Sequence, residues 1–221
     1  MKRKLEPELM LNKKQALAYA QANFEDSHTQ FVPLFQKTLR NPQVNGHVLD
    51  LGCGTCDISI RFATAYPTCE VHGLDGSPAM LELGRQKVAA RQLKDRVIFI
   101  EGRIPMVQLS QANYDAVISN SLLHHVPEID SIWKFIARWA KHGAPIFMMD
   151  LVRPSCEEEV RNLVDLHAAG ESPILKKDFS NSLRAAYRPE EIEEKLQQLD
   201  WRGFRVRQID RRHLIVFGFC P

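Results

Sequence analysis

Short apolar runs alternate with longer segments of helical periodicity along most of the chain. Apolar and β-branched residues cluster in seven runs that predict strands at 47–51, 69–74, 96–100, 116–119, 145–150, 204–209 and 213–219. Helical spacing of apolar positions predicts helices between them at 58–66, 78–92, 129–141, 156–168 and 189–199. Strands that alternate with helices are typical of an α/β fold, in which a mostly parallel sheet has helices on both faces.

The two ends of the chain depart from this alternation. Only Asp210, Arg211 and Arg212 separate the last two strands, which is too short for a parallel crossover and predicts an antiparallel hairpin. Residues 1–40 precede the first strand and predict a helical cap, with helices near 13–23 and 28–39. We expect residues 41–221 to form the main domain, with a helical insertion at 153–188. Cap and insertion would act as lid segments over the ligand-binding edge of one compact domain.

Composition narrows the class of protein. The 221 residues include 29 basic and 27 acidic side chains, so the net charge of +2 gives no field that attracts nucleic acid. No apolar run approaches the roughly 20 residues that cross a bilayer, and charges with Pro7 interrupt the start where a secretory signal would lie. The five scattered cysteines favour a reduced protein. We expect a cytoplasmic monomer or homodimer with no nucleic-acid or membrane partner.

A glycine turn after the first strand carries the main functional signal. The apolar run ends in Gly52 and Gly54, with Cys53 between them, and a predicted helix follows. Glycines let the backbone turn sharply and let a ligand approach closely. The first turn at the carboxyl end of a strand is where open α/β sheets bind ligands. The sequence therefore predicts a ligand site at this turn.

Two carboxylates flank the turn. Asp50 precedes the glycines, and Asp75 ends the second strand, where a carboxylate can accept hydrogen bonds from both hydroxyls of a ribose. Either residue alone is equally explained as a helix cap or turn residue. A dinucleotide is disfavoured because Asp57 stands where its fingerprint needs a third small residue, and because Asp50 would repel a pyrophosphate. A cationic nucleoside suits the pair. Cys53 and Cys56 form a CxxC that leaves a redox role open.

At these positions the chain resembles the class I S-adenosylmethionine-dependent methyltransferases. The segment 50–55 is similar to their first motif, although Cys56 stands where many members have a third glycine, and 73–77 is similar to their second motif. Residues 97–104 resemble the strand and loop that read adenine, with Arg103 where many members have an acid. The resemblance implies S-adenosylmethionine as cofactor and S-adenosylhomocysteine as product. The cofactor-binding residues that it implies are Tyr19, Asp50, Gly52, Cys53, Gly54, Asp75, Gly76, Met80, Gly102, Arg103, Ile104 and Asn120.

The segments 114–120 and 122–126 resemble the fourth motif, especially in the branch that methylates small molecules such as quinone and sterol precursors. The family implies a Rossmann-like, seven-stranded sheet whose last strand is reversed. This agrees with the hairpin that the spacing of the last two strands predicts.

Asn120, His124 and His125 are the catalytic candidates. Asn120 ends the fourth strand and either orients a reactant or simply ends that strand. A histidine titrates near neutrality and can take a proton from an acceptor, although packing explains the pair as well. Neighbouring side chains usually point to different sides, so we expect at most one of the two to face the acceptor. No further ligand is adjacent in the sequence, and no metal site is predicted.

Acceptor-binding candidates come from three regions of the chain. Asp150 ends the fifth strand and either holds an amine acceptor or pairs with Arg153. Phe24 and His28 lie in the predicted cap, where their helical spacing is also explained by plain core packing. Arg184 and Tyr187 lie in the insertion, where a charged helix face is the commoner explanation. The acceptor-binding candidates are Phe24, His28, His124, Asp150, Arg184 and Tyr187.

The leading hypothesis is an S-adenosylmethionine-dependent methyltransferase acting on an unidentified small-molecule acceptor. An RNA or protein methyltransferase is the second hypothesis, disfavoured because Asn120 is followed by Ser121 and Leu122 rather than the Pro-Pro-aromatic signature of many enzymes that methylate planar nitrogens. A non-catalytic module that binds the cofactor is the third, since fold alone never proves activity.

Overall fold

One seven-stranded sheet organises the protein. The computed structural model describes residues 1–6, 10 and 12–221, and positions 7–9 and 11 of the predicted cap lie outside the described residues. The strands are β1 (Gly46–Leu51), β2 (Cys69–Asp75), β3 (Val97–Glu101), β4 (Ala116–Asn120), β5 (Pro145–Leu151), β6 (Arg205–Gln208) and β7 (His213–Phe219). Their order is β3-β2-β1-β4-β5-β7-β6. Only β7 runs against its neighbours, which confirms the predicted Rossmann-like sheet and its terminal hairpin.

Nine α-helices surround the sheet in the described part of the chain. They are α1 (Lys13–Gln21), α2 (Glu25–Thr29), α3 (Phe31–Thr38), α4 (Asp57–Ala65), α5 (Pro78–Ala90), α6 (Asp130–Trp139), α7 (Glu157–His167), α8 (Pro173–Ala185) and α9 (Pro189–Gln198). The two predicted cap helices, near 13–23 and 28–39, correspond to α1 and α3, whereas the short helix α2 was not predicted. Helix α8 was not predicted. Its start repeats that of α5: Ser172 accepts from the Leu175 N–H, and Pro173 follows it.

The central strands are buried because helices cover both faces of the sheet. Alternate side chains of β1 enter two different hydrophobic clusters: Leu49 and Leu51 join the cluster that contains α6 and α9, and Val48 joins the one that contains α3, α4 and α5. All seven residues of β5 are buried. This double burial is typical of strands in a parallel sheet and explains why their sequences read as continuous apolar runs.

Helix α3 is held against the sheet by an aromatic cluster. Phe147 of β5 is fully buried, and its ring meets those of Phe31 and Phe35 edge-on, with centroids 5.0 Å and 5.9 Å away. Edge-to-face pairs stabilise a core beyond the area that they bury. Helix α3, which lies in the N-terminal region, therefore shares its core with the sheet. In the described ranges, no helix has both the length and the apolar character needed to span a membrane.

Replacing Phe147 with alanine should test this docking. The substitution leaves a cavity where α3 meets β5, so we expect the free energy of unfolding to fall by about 3–5 kcal/mol, measured by urea denaturation. Phe219→Ala is the matched control, because Phe219 is 50% exposed at the end of β7, and it should cost less than about 1 kcal/mol. Equal losses in the two variants would contradict the proposed importance of the aromatic cluster.

Candidate functional site

The carboxyl ends of β1, β2 and β4 open into a cavity of about 900 Å³. Its walls include the turns that follow these strands, together with side chains of α1, α2, α7 and α8. The volume lies in the range of cavities that enclose a small molecule or cofactor. This is also the edge where an open α/β sheet binds its ligands.

The turn after β1 is fixed to the end of β2. The backbone N–H groups of Gly52 and Cys53 both donate to the Leu74 carbonyl, at 2.8 Å and 3.0 Å. Gly52 and Gly54 have φ angles of +68° and +53°, a region that favours glycine. A Cβ on Gly52 would also lie 2.8 Å from Leu122 Cδ1. Both observations explain why the strand must end in glycines.

The cysteines of the turn are buried inside it. Cys56 has a φ of +61° and begins α4, so it occupies the left-handed conformation that a glycine would adopt more easily. Its Sγ lies 3.5 Å from Cys53 Sγ, and both thiols are free. Burial raises the pKa of Cys53 well above its usual value, which keeps that thiol protonated. An inert, buried thiol does not favour the redox alternative.

Two carboxylates line the cavity, the buried Asp50 and the partly buried Asp75. Asp50 accepts a hydrogen bond from Ser59 Oγ at 2.5 Å, and burial raises the pKa of Asp50 to about 7. Asp75 accepts from the N–H groups of Gly54 and Ser77, both at 2.8 Å, and burial raises its pKa too. Within the described ranges, no Lys or Arg forms an ion pair with either carboxylate. Buried carboxylates that lack a cationic protein partner favour a ligand that carries positive charge.

Further predicted cofactor residues surround the same space. Asn120 lines the cavity at the end of β4, and its buried Oδ1 has no hydrogen-bond partner among the described residues. Met80 is 4% exposed, with its Cε 3.2 Å from where a Cβ on Gly54 would lie. The remaining predicted residues of the cavity wall are Cys53, Gly76, Gly102, Arg103 and Ile104. The structure thus brings together the polar groups that the motifs indicated.

An aromatic row forms another wall of the cavity. The Tyr19 and Phe24 rings are 4.6 Å apart, and those of Phe24 and His28 are 5.4 Å apart. Burial raises the pKa of Tyr19, so its hydroxyl is neutral at pH 7. His28 Nδ1 lies 2.7 Å from Asp57 Oδ2, and this hydrogen bond lowers the pKa of Asp57. All three ring-bearing residues line the cavity, as the sequence predicted of them.

His124 and His125 both line the cavity, and the expectation that at most one of them faces the acceptor stays a prediction. They lie in a short 3-10 helix, Leu123–His125, and their ring centroids are 4.1 Å apart. His124 Nδ1 lies 2.7 Å from Asp150 Oδ1. Burial lowers the pKa of His124, but Asp150 more than offsets this and the pKa is raised. Burial and the neighbouring His124 lower the pKa of His125 to about 3.

Asp150 has an internal role that the sequence did not indicate. Its carboxylate accepts from the Leu123 and Leu151 N–H groups and contacts His124, so it neither pairs with Arg153 nor lies in the cavity wall. Burial raises the pKa of Asp150, but the contacts with His124 outweigh that effect and the pKa is lowered. Arg153 instead pairs with Glu191. The expected contact of Asp150 with the acceptor is therefore replaced by a contact with His124.

Arg184 and Tyr187 also lie outside the cavity wall. The Arg184 guanidinium pairs with Glu157 on α7, with Nη2 2.6 Å from Oε2. The Tyr187 hydroxyl donates to the Val126 carbonyl at 2.8 Å. Arg184 therefore joins α8 to α7 within the insertion, and Tyr187 joins the insertion to the loop after the histidines.

Glu6 is the residue of this region that the sequence analysis missed. Its Oε2 lies 3.3 Å from His125 Nδ1 and 3.8 Å from His124 Nε2, and its side chain is 5% exposed. Burial raises the pKa of Glu6. No local sequence pattern predicts this contact, because Glu6 is far from the histidines in the sequence. Ser59, the partner of Asp50, was missed too, although helical position on α4 directs it back toward β1.

Comparison with known proteins bears on the family. A family model described as a methyltransferase domain matches residues 42–199. A demethylmenaquinone methyltransferase of Geobacillus sp. (strain WCH70) is 34% identical over 116 residues, which are 52% of this chain and 49% of that protein. The chain thus matches about half the length of this curated relative.

Two solved structures share the fold. The plantazolicin methyltransferase BpumL, in complex with a triazolic desmethylPZN analog and SAH, aligns with a TM-score of 0.71 and 13% identity, covering 94% of this chain and 90% of that one. A SAM-dependent methyltransferase from Aquifex aeolicus aligns with a TM-score of 0.66 and 16% identity, covering 95% and 99%. Because the family model spans well over half of the sequence, the chain belongs to the methyltransferase domain family.

Proposed function

We propose that the protein transfers the methyl group of S-adenosylmethionine to a small-molecule acceptor. The observation that carries the proposal is a pair of carboxylates, the buried Asp50 and the partly buried Asp75, which line the cavity without a cationic partner among the described residues. S-adenosylmethionine brings a sulfonium, an ammonium and a ribose diol. A ligand of this charge offsets the cost of burying both carboxylates, whereas a pyrophosphate would increase it.

Different residues around the glycine turn would bind different parts of the cofactor. Asp75 keeps lone pairs free for ribose hydroxyls, because among the described residues each of its oxygens accepts one hydrogen bond, from the Gly54 or the Ser77 N–H. Asp50 supplies negative charge near the amino-acid end. Asn120 Oδ1 is an acceptor without a donor in the described part of the chain, which suits a ligand ammonium. Gly52 and Gly54 let the ligand contact the backbone.

The other groups close the cavity around the reactants. Met80 packs beneath the turn, while Gly102, Arg103 and Ile104 form the wall where the family reads adenine. Tyr19 stays neutral and can donate its hydroxyl hydrogen to a carboxylate. When bound, S-adenosylmethionine supplies an electrophilic methyl on its sulfonium, so the protein's contribution is alignment and exclusion of water.

The acceptor would lie between the aromatic row and the two histidines. Phe24 and His28 provide flat apolar surface on one side, and His124 and His125 provide polar groups on the other. Relatives named for demethylmenaquinone and for plantazolicin support a small-molecule acceptor. A cytoplasmic location, a monomeric or homodimeric state and the lack of a nucleic-acid partner remain predictions from composition.

Asp75→Asn should weaken binding of S-adenosylhomocysteine by about 10- to 100-fold in calorimetry, because a charged acceptor is worth about 1.5–3 kcal/mol per hydrogen bond. Glu82→Gln is the matched control, because Glu82 lies on α5 with its side chain 65% exposed, and its affinity should not change. Thermal unfolding of both variants checks that the turn stays folded. Unchanged affinity in Asp75→Asn would remove Asp75 from the site.

Asp50 should make both stability and cofactor affinity depend on pH. Its pKa is about 7 in the folded protein and near 4 in an unfolded chain. Because the folded state holds the proton more tightly, the stability that this proton contributes is present below pH 4 and is lost as pH rises through 7. A cationic ligand prefers the ionised carboxylate. Affinity for S-adenosylmethionine should therefore rise about tenfold from pH 5.5 to 7.0.

Asp50→Asn provides the comparison for this pH dependence. The variant cannot ionise at position 50, so its affinity should vary less with pH, and its unfolding free energy should fall less between pH 5 and 8. Burial also raises the pKa of Asp75, so part of the slope should persist. Calorimetry and urea denaturation at matched pH values measure the two effects. Identical slopes in both proteins would contradict the assigned role of Asp50.

The function itself is tested by product formation. The protein is incubated with S-adenosylmethionine and, separately, with hydroquinones that have an open ring position, small phenols, small thiols, mixed RNA and a denatured protein mixture. We expect S-adenosylhomocysteine, measured by mass spectrometry, to appear only with a small molecule. Turnover confined to RNA or protein would favour the second hypothesis. Cofactor binding without turnover on any acceptor would favour a non-catalytic module.

A further inference from the structure

We propose that Glu6, His124 and His125 form a binding site for one divalent transition-metal ion of the zinc type. Its two histidines line the cavity at the end where the acceptor is placed above, whereas Glu6 is not part of the cavity wall. The site joins a residue near the start of the chain to two neighbours on the 3-10 helix after β4, so only the folded protein assembles it. Metal binding there does not depend on the proposed methyl transfer, although its chemical consequence does.

The spacing of the three side chains fits a shared ion. One ligand atom from each residue lies within 4.8 Å of the other two. His125 Nδ1 and His124 Nε2 are 3.3 Å and 3.8 Å from Glu6 Oε2. Bonds of about 2.0–2.1 Å in a tetrahedron place ligand atoms about 3.3–3.4 Å apart. Small side-chain movements would therefore bring all three to bonding distance.

The two imidazole nitrogens that face Glu6 are also free to bind. Neither His124 Nε2 nor His125 Nδ1 makes a hydrogen bond within the described ranges, although both lie beside a carboxylate whose side chain is 5% exposed. Two imidazoles and one carboxylate form a ligand set that zinc and related ions prefer. An ion would satisfy all three groups at once.

The surroundings hold the ligands in place. His124 Nδ1 contacts Asp150 Oδ1 at 2.7 Å, and this directs Nε2 toward Glu6. Asp150 is itself fixed by the N–H groups of Leu123 and Leu151. Ser182 Oγ donates to Glu6 Oε2 at 3.1 Å. A histidine ligand whose second nitrogen is held by a carboxylate is the usual arrangement around protein-bound zinc.

Arg3 fixes the segment that carries Glu6. Its guanidinium donates to the Val126 carbonyl at 2.8 Å and to Tyr187 Oη at 2.7 Å, and it stacks 3.7 Å from the centroid of the Tyr187 ring. Its Nε donates to the Ala185 carbonyl at the end of α8. The segment before Glu6 is therefore bound both to the loop after the histidines and to the insertion. This pre-organises the third ligand.

A second group of two histidines and a glutamate is a useful contrast. His47, Glu70 and His72 lie at the opposite end of β1 and β2. There Glu70 Oε1 already contacts His72 Nε2 at 2.7 Å, and His72 Nδ1 contacts Tyr114 Oη at 2.9 Å. Direct hydrogen bonds thus occupy Glu70 and both ring nitrogens of His72, although His47 Nδ1 has no hydrogen-bond partner among the described residues. An ion at this second group would have to displace the bond between Glu70 and His72, so we assign the ion to the Glu6 site.

The proposed ion narrows the class of acceptor, and this step rests on the proposed function. Three protein ligands leave a fourth tetrahedral position, and His124, His125 and Ser182 all line the cavity. An acceptor hydroxyl or thiol bound there would lose its proton to solvent more easily. Its oxygen or sulfur then forms the new bond to the methyl carbon. The sulfonium carbon–sulfur bond breaks with its electron pair on sulfur, which leaves S-adenosylhomocysteine.

Metal content is measured on the full chain without cofactor or acceptor. The protein is stripped with a chelator, dialysed against Zn²⁺ or Co²⁺, and analysed by elemental analysis and by the visible absorption of Co²⁺. We expect one ion per chain, and at least a tenfold loss of affinity in Glu6→Gln and in His125→Asn. Glu70→Gln is the matched control and should keep the ion. Failure of the intact protein to bind, or loss in Glu70→Gln with retention in Glu6→Gln, would overturn the proposal.

Separate readouts keep this inference distinct from the proposed function. Glu6→Gln should bind S-adenosylhomocysteine with unchanged affinity, since Glu6 is not in contact with the glycine turn, and thermal unfolding checks its fold. Binding of the ion without methylation of any acceptor would contradict the proposed function but support the proposed metal site. Full turnover of a hydroxyl or thiol acceptor by metal-free protein would contradict the proposed catalytic role of the ion.

Discussion

The hydrogen bond from the Gly54 N–H to Asp75 is the interaction on which the site depends. It connects the turn after β1 to the last residue of β2, next to the two N–H groups that donate to the Leu74 carbonyl. The glycine turn and the second carboxylate therefore form one rigid unit. Because β1 lies between β2 and β4 in the sheet, this unit also fixes the distance from Asp75 to Asn120 across the cavity.

Burial gives this unit its chemical preference. Asp50 and Asp75 are held by neutral donors, a serine hydroxyl and backbone N–H groups, that orient the carboxylates without neutralising them. The pKa values of both carboxyl groups are raised because burial disfavours their charged form. Either a proton on the carboxylate or a cationic ligand can offset this cost, because no lysine or arginine pairs with Asp50 or Asp75 in the described part of the chain. On the proposed function, the cavity therefore favours a positively charged ligand.

The sequence was informative wherever a feature is local. Apolar periodicity located all seven strands to within two residues, and the glycines with Asp50 and Asp75 marked the turn, because strand, turn and carboxylates are adjacent along the chain or along the sheet edge. Helix α8 was missed although Ser172 and Pro173 mark its start as Ser77 and Pro78 mark that of α5, and although its apolar face is as well defined as that of α9. Glu6 and the contact of Asp150 with His124 could not be predicted, because long-range packing alone creates them.

The two ends of the cavity are built on different physical principles. At the glycine turn, backbone N–H groups hold Asp75 and the Ser59 hydroxyl holds Asp50. At the histidine end, side chains from three distant segments converge, and Arg3 fixes one of them through carbonyl groups of the other two. The first arrangement belongs to the sheet and follows from its topology. The second requires the N-terminal segment and the insertion to be in place, so specificity for the acceptor can change through those segments while the cofactor end stays constant.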